Sequence, residues 1–155
     1  LGLDFALGAA LIEEIQTDWL RHARRLREWA VRSQKSGKPL PTWLRVGGAL
    51  ADIVRYADDI LRPYREVWEE AMLFSAIDFI HRELGISHIY YHSFDTGRCI
   101  KRIGGNTPPR SLYTDLPLKF CFTRTANPPW FLLRSRQFRR RLRQVRHPSW
   151  YQLQL

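Results

Sequence analysis

An apolar run over residues 7–12 gives way to mixed polar and apolar positions up to residue 17, reading as a strand over roughly 7–17, and the pattern then changes to a period of three to four residues. Residues 10–19, Ala-Leu-Ile-Glu-Glu-Ile-Gln-Thr-Asp-Trp, read as a strand, place successive side chains on opposite faces. Leu11, Glu13, Ile15, Thr17 and Trp19 fall on one face, and Ile12, Glu14, Gln16 and Asp18 on the other. Three polar groups in a row on one side make Glu14, Gln16 and Asp18 a candidate functional face. An edge strand with one solvated side gives the same pattern. A helix follows, with Thr17 or Asp18 as N-cap. Trp19, Leu20, Ala23, Leu26, Ala30 and Val31 form its inward stripe, and Arg21, Arg24, Arg25, Arg27 and Arg32 its basic outer face. It fades near Ser33, ahead of the turn-rich segment 36–41.

The helical period returns over 49–61 and again over 64–84, with Pro63 at the boundary. Gly85 closes the second of these helices. Residues 86–94 are rich in β-formers and predict a strand, 97–103 a short helix, and 106–117, with three prolines, an ordered loop. Residues 120–123 and 130–133 predict a hairpin across the turn at 127–129. An arginine-rich helix over 134–146 is broken by Pro148. Helix-connected strands favour parallel pairing and the short link near the C-terminus antiparallel pairing. The expected fold is α/β (α+β): one small mixed sheet packed by helices. Residues 1–133 form the core domain, and 134–155 an arginine-rich C-terminal helix and tail.

A chain of 155 residues with 45% hydrophobic content and 20 aromatics can bury a substantial core, which excludes a disordered class. The N-terminal apolar run is interrupted by Asp4 and the Glu13-Glu14 pair, so no membrane span and no signal segment are expected. The chain opens on Leu1, which leaves room for upstream elements. Two cysteines, Cys99 and Cys121, make no disulfide framework and point to a reducing, cytoplasmic setting. The net charge of +10 changes the picture most, because it makes nucleic acid or an acidic protein the expected partner. Seven of those ten net charges sit in 134–146, all arginine: Arg134, Arg136, Arg139, Arg140, Arg141, Arg143 and Arg146.

The hexapeptide Glu14-Ile15-Gln16-Thr17-Asp18-Trp19 resembles the Glu-Ile-Gln-Ser-Asp-Trp motif of large multidomain proteins of phages and conjugative elements. The likeness extends loosely over residues 7–105, through Pro41 and Trp43, the helix to Gly85, the strand to Phe94 and the Thr96-Gly97 turn. Thr17 replaces the usual Ser, and Leu20 stands where those proteins often carry His, so a role for that His is absent here. The resemblance implies a phage or mobile-element context and carries over no activity. The order of elements is also similar to part of a GNAT acetyltransferase. Such enzymes need a glycine-rich turn whose backbone amides approach the coenzyme A phosphates. After the first strand the chain runs Thr17-Asp18-Trp19-Leu20-Arg21-His22, without glycine and with a repelling carboxylate, so no cofactor is expected.

His88 and His92 share a strand face about 13 Å apart at ~3.3 Å per residue, too far to converge on one zinc, and no metal is expected. Ser93, Cys99 and Ser111 have no activating context. Thr96, Arg110, Ser111, Tyr113 and Asp115 lie on or near the proline-stiffened loop, and with Glu14, Gln16 and His92 they form a candidate cleft. Hydrogen bonds that merely stitch the loop to the sheet explain the same residues. In the arginine segment, Phe138, Leu142 and Val145 recur at i, i+4 and i+7 as a docking stripe, leaving Arg136, Arg139, Arg140, Arg143 and Arg146 outward. Arginine suits forked contacts to phosphate or carboxylate, and Trp150 and Tyr151 are placed to stack on bases. The reading that follows is a phage- or mobile-element-related protein that associates with nucleic acid through these arginines. The alternative is a small GNAT-like transferase or hydrolase with Glu14, Gln16, Asp18 and His92 as its site.

Overall fold

The computed structural model describes residues 1–44, 46–102 and 108–155. They divide into two compact units, Gln16–Trp68 and the combination of Leu1–Ile15 with Glu69–Leu155.

The Gln16–Trp68 unit is helical. Helix α1 (Asp18–Ser36) is closed by Gly37, which takes the left-handed conformation (φ 67°) that a side chain disfavours. The single helix expected over 49–61 is built as α2 (Leu50–Arg55) running into a π-helical turn at Tyr56–Ile60. Pro63 sits in the first turn of the next helix, α3 (Arg62–Asp78), where a missing N–H costs nothing. Leu20, Ala30, Ala57 and Leu61 are buried, and α1 packs on α2 and on the π-helical turn that holds Ala57. Arg27 Nε donates to Asp58 Oδ1 at 2.6 Å and ties α1 to the π-helical turn, so Arg27 does not belong to the solvated basic face.

The larger unit holds a mixed sheet with five strands among the described residues: β1 (Gly2–Asp4), β2 (Ala9–Ile12), β3 (His88–His92), β4 (Thr123–Thr125) and β5 (Trp150–Gln154), in the order β1-β2-β3-β5-β4. The pair β2–β3, linked through helices, is parallel and the other pairs are antiparallel. Around the sheet lie the second half of α3, extended by a π-helical turn at Phe79–Glu83, and α4 (Phe94–Lys101), α5 (Asp115–Lys119) and α6 (Arg136–Leu142). Gly85 (φ 65°) ends the long helix. One sheet face contributes Ala9, Leu11, Tyr90 and Trp150 to a core completed by Ile100 of α4 and Phe138 of α6. On the other face Tyr91 packs against Tyr113 and Phe122, and its hydroxyl donates to the Leu112 carbonyl at 2.9 Å.

Four expectations need correction. The first strand ends at Ile12, not near residue 17, because its partner runs out: Ile12 pairs with Tyr91, and one residue later β3 gives way to the Ser93 cap of α4. Residues 130–133 form no hairpin strand but a 3₁₀ helix, Trp130–Arg134, started by Pro129, whose carbonyl accepts the Leu132 N–H at 3.0 Å. The segment expected as a loop over 106–117, of which 106–107 lie outside the described residues, includes over 108–117 two helical turns, Arg110–Tyr113 and the start of α5. Finally, 134–155 is no tail apart from a core ending at 133. Trp150–Gln154 is an interior strand between β3 and β4, and Trp150 and Tyr151 are buried, so neither is available to stack on bases.

Candidate nucleic-acid interface

The strand face expected to carry Glu14, Gln16 and Asp18 does not form, since residues 13–17 belong to no strand. Glu14 and His92 lie in the larger unit, Gln16 and Asp18 in the helical one. Asp18 opens α1 and pairs with Arg21, which also donates to Gln16. Glu14 accepts from Lys101 Nζ at 3.0 Å, and the same ammonium donates to the Glu13 carbonyl at 2.9 Å. Lys101 thereby straps the chain after β2 to the end of α4. Glu13, Phe94, Lys101 and Tyr113 border a cleft of only about 10 Å³, the space of one water molecule. His92 is 2% exposed, and burial, reinforced by the Lys101 ammonium, pushes its imidazole down to about 3. It is held neutral inside the protein rather than presented to a substrate.

Of the remaining cleft candidates, Thr96 and Tyr113 are buried and Arg110, Ser111 and Asp115 are exposed. Thr96 is fully buried, and its Oγ1 accepts the Ser149 N–H at 2.9 Å, while Ser93 Oγ donates to the Ser149 carbonyl at 2.6 Å. The first turn of α4 thus clamps the backbone immediately before β5. Arg110 pairs with Asp95 at 3.5 Å and lies 4.9 Å from the Phe94 ring centre. Tyr113 is buried in the aromatic cluster, and burial, with the nearby Glu14 charge, raises its hydroxyl to about 12. Ser111 and Asp115 are exposed. Among the described residues no three His, Cys, Asp or Glu side chains gather to hold a metal, and no helix is long and apolar enough to cross a membrane.

The arginine segment is built differently. Ser135 caps α6, its Oγ accepting the Phe138 N–H at 3.3 Å. Phe138 anchors the helix in the core beside Trp150, with Leu142 packed alongside. Two of the seven arginines are engaged within the protein: the exposed Arg134 pairs with Asp4 at 3.5 Å, and the half-buried Arg141 donates from Nη1 to the Ile100 carbonyl at 2.7 Å. Arg136, Arg139, Arg140, Arg143 and Arg146 are exposed, and none has a carboxylate partner among the described residues. Arg136, Arg140 and Arg143, at i, i+4 and i+7, lie in one row on the side away from Phe138. The sequence reading passed over Arg98 and Arg102. They are exposed on the end of α4 that the Arg141–Ile100 bond fastens to α6, and their i, i+4 spacing was the available signal. On α1 the basic face is thinner than its five arginines suggested. Arg21 and Arg24 are paired with Asp18 and Glu28, and Arg27 with Asp58, leaving Arg25 and Arg32.

No family model, no curated protein and no solved structure matches the chain.

Proposed function

We propose that the chain associates with nucleic acid through the outward arginine row of α6, in the phage or mobile-element setting that the Glu14–Trp19 motif resembles. The observation that carries this reading is a set of five exposed arginines without carboxylate partners among the described residues, on α6 and the chain just after it, with the helix anchored by the buried Phe138. A stripe that merely solubilised the surface would gain from interspersed acids, as on α1. None stands between residues 134 and 146. Guanidinium forks match phosphate oxygens, and a helix anchored on one side presents them without the ordering cost of a free tail.

The test is a titration of labelled duplex at several salt concentrations. Three phosphates neutralised by Arg136, Arg140 and Arg143 give a log–log slope of about −3, steeper where Arg139 joins. Changing the three to Gln flattens that slope. Absence of binding at low salt, or a slope unchanged in the variant, overturns the reading and favours an acidic protein partner.

A further inference from the structure

Trp43 is 68% exposed, the most exposed large apolar side chain among the described residues. It is not left loose. The 3₁₀ turn Thr42–Leu44 is closed by the Leu44 N–H donating to the Pro41 carbonyl at 3.0 Å, and Leu44 beside it is buried. The Trp43 and Trp29 rings are perpendicular neighbours, with centroids 6.1 Å apart and planes at 89°. Trp29 in turn carries the Arg32 guanidinium 5.6 Å from its ring centre. Arg25, Trp29 and Arg32, at i, i+4 and i+7, share one row of α1 spanning about 10 Å. Neither arginine has a carboxylate partner among the described residues. A hydrogen-bonded turn therefore holds a largely exposed indole beside a row of cation, aromatic ring and cation.

We propose that Trp43, Trp29, Arg25 and Arg32 form a binding site for single-stranded nucleic acid, in which an unpaired base stacks on Trp43 and the two guanidinium groups meet its flanking phosphates. Base stacking on an aromatic ring is sequence-tolerant and needs a free base face, which a duplex hides. An acidic peptide satisfies the arginines but gains nothing from an outward indole face. The site lies in the Gln16–Trp68 unit, does not use α6, and stands or falls separately from the arginine row.

The experiment uses the full chain carrying Arg136→Gln, Arg140→Gln and Arg143→Gln, so that the α6 row is already removed. Labelled oligo-dT, oligo-rU, a duplex of equal length and an oligo-glutamate peptide are titrated at low salt. Single strands are expected to bind. Trp43→Leu in that background weakens them roughly 5- to 100-fold, the range that one stacked base contributes, and Trp43→Phe retains most of the affinity. Duplex affinity changes less than about twofold. Absence of single-strand binding, no loss with Trp43→Leu, an equal loss on the duplex, or a loss that instead appears with oligo-glutamate overturns the proposal. Should Trp43→Leu fail to fold, Arg25→Gln with Arg32→Gln takes its place, and a loss confined to single strands is again required.

Discussion

His92 and Trp150 stand directly opposite each other across the antiparallel β3–β5 pair, and each buries a ring nitrogen without a hydrogen-bond partner among the described residues. The core of the sheet is therefore closed around a neutral imidazole. In the unfolded chain that imidazole titrates at 6.5, and in the folded one at about 3.

The sign of the pH dependence follows. Below 6.5 the unfolded state takes up a proton that the folded state refuses, so the stability present above 6.5 drains away as the pH falls toward 3. Each pH unit is worth at most about 1.4 kcal/mol, and because the unfolded imidazole is half protonated at pH 6.5 the loss between pH 6.5 and 5 is about 1.6 kcal/mol. Urea unfolding at the two pH values should show this loss in the wild type and a smaller one in His92→Gln. An equal pH dependence in both chains means that His92 is not the group responsible.

Thr96 marks the difference between a cleft residue and a clamp. Thr96→Val keeps the shape but leaves the buried Ser149 N–H without its acceptor, at a cost of about 1–3 kcal/mol. Thr96→Ser keeps the oxygen and should recover most of that stability. Chemical denaturation of the two variants decides the matter. A Val variant as stable as the wild type would return Thr96 to the list of functional candidates.

Gly97 lets α4 lie close on β3. A Cβ built there meets His92 Cβ at 3.2 Å and Cγ at 3.4 Å, tighter than side chains normally approach. Alanine gains about 1 kcal/mol of helix propensity over glycine. Overpacking between a helix and a strand that are both held in place costs about 1–3 kcal/mol. Gly97→Ala is expected to melt below the wild type despite the better helix former, and a higher melting temperature would show that α4 can shift.

The class of the fold, a mixed sheet packed by helices with its helix-linked strands parallel, was legible because it depends on local periodicity and connection length. Helix α1, the long helix up to Gly85 and the strand at His88–His92 all announce themselves this way. What escaped was set by partners distant in sequence. The sequence past Ile12 still reads as strand, but β3 offers it no further neighbour, so the polar face of Glu14, Gln16 and Asp18 gives way to an irregular segment, a helix start and a Lys101 strap. Trp150–Gln154 reads as a short aromatic tail until β3 and β4 are seen on either side of it. At the interface, the row of Arg136, Arg140 and Arg143 is readable from spacing alone. That Arg134 and Arg141 are held by Asp4 and the Ile100 carbonyl is not, because those contacts join residues tens to more than a hundred positions apart.

Phe138 links the stability of the core to the presentation of the arginines. It is 6% exposed and packs in the cluster that contains Trp150 and Ile100, so Phe138→Ala removes a ring from a filled site and should cost about 3–5 kcal/mol. The helix it anchors has only seven residues, too few to persist in water without tertiary support. Loss of the anchor therefore frees the arginines without removing a single charge. If affinity for duplex rests on a fixed row, Phe138→Ala under conditions where the sheet remains folded should weaken binding while the slope of affinity against salt stays near that of the wild type. If any seven arginines suffice, binding survives unchanged. Hydrogen exchange of the α6 amides, read alongside the titration, shows whether the helix has in fact been released.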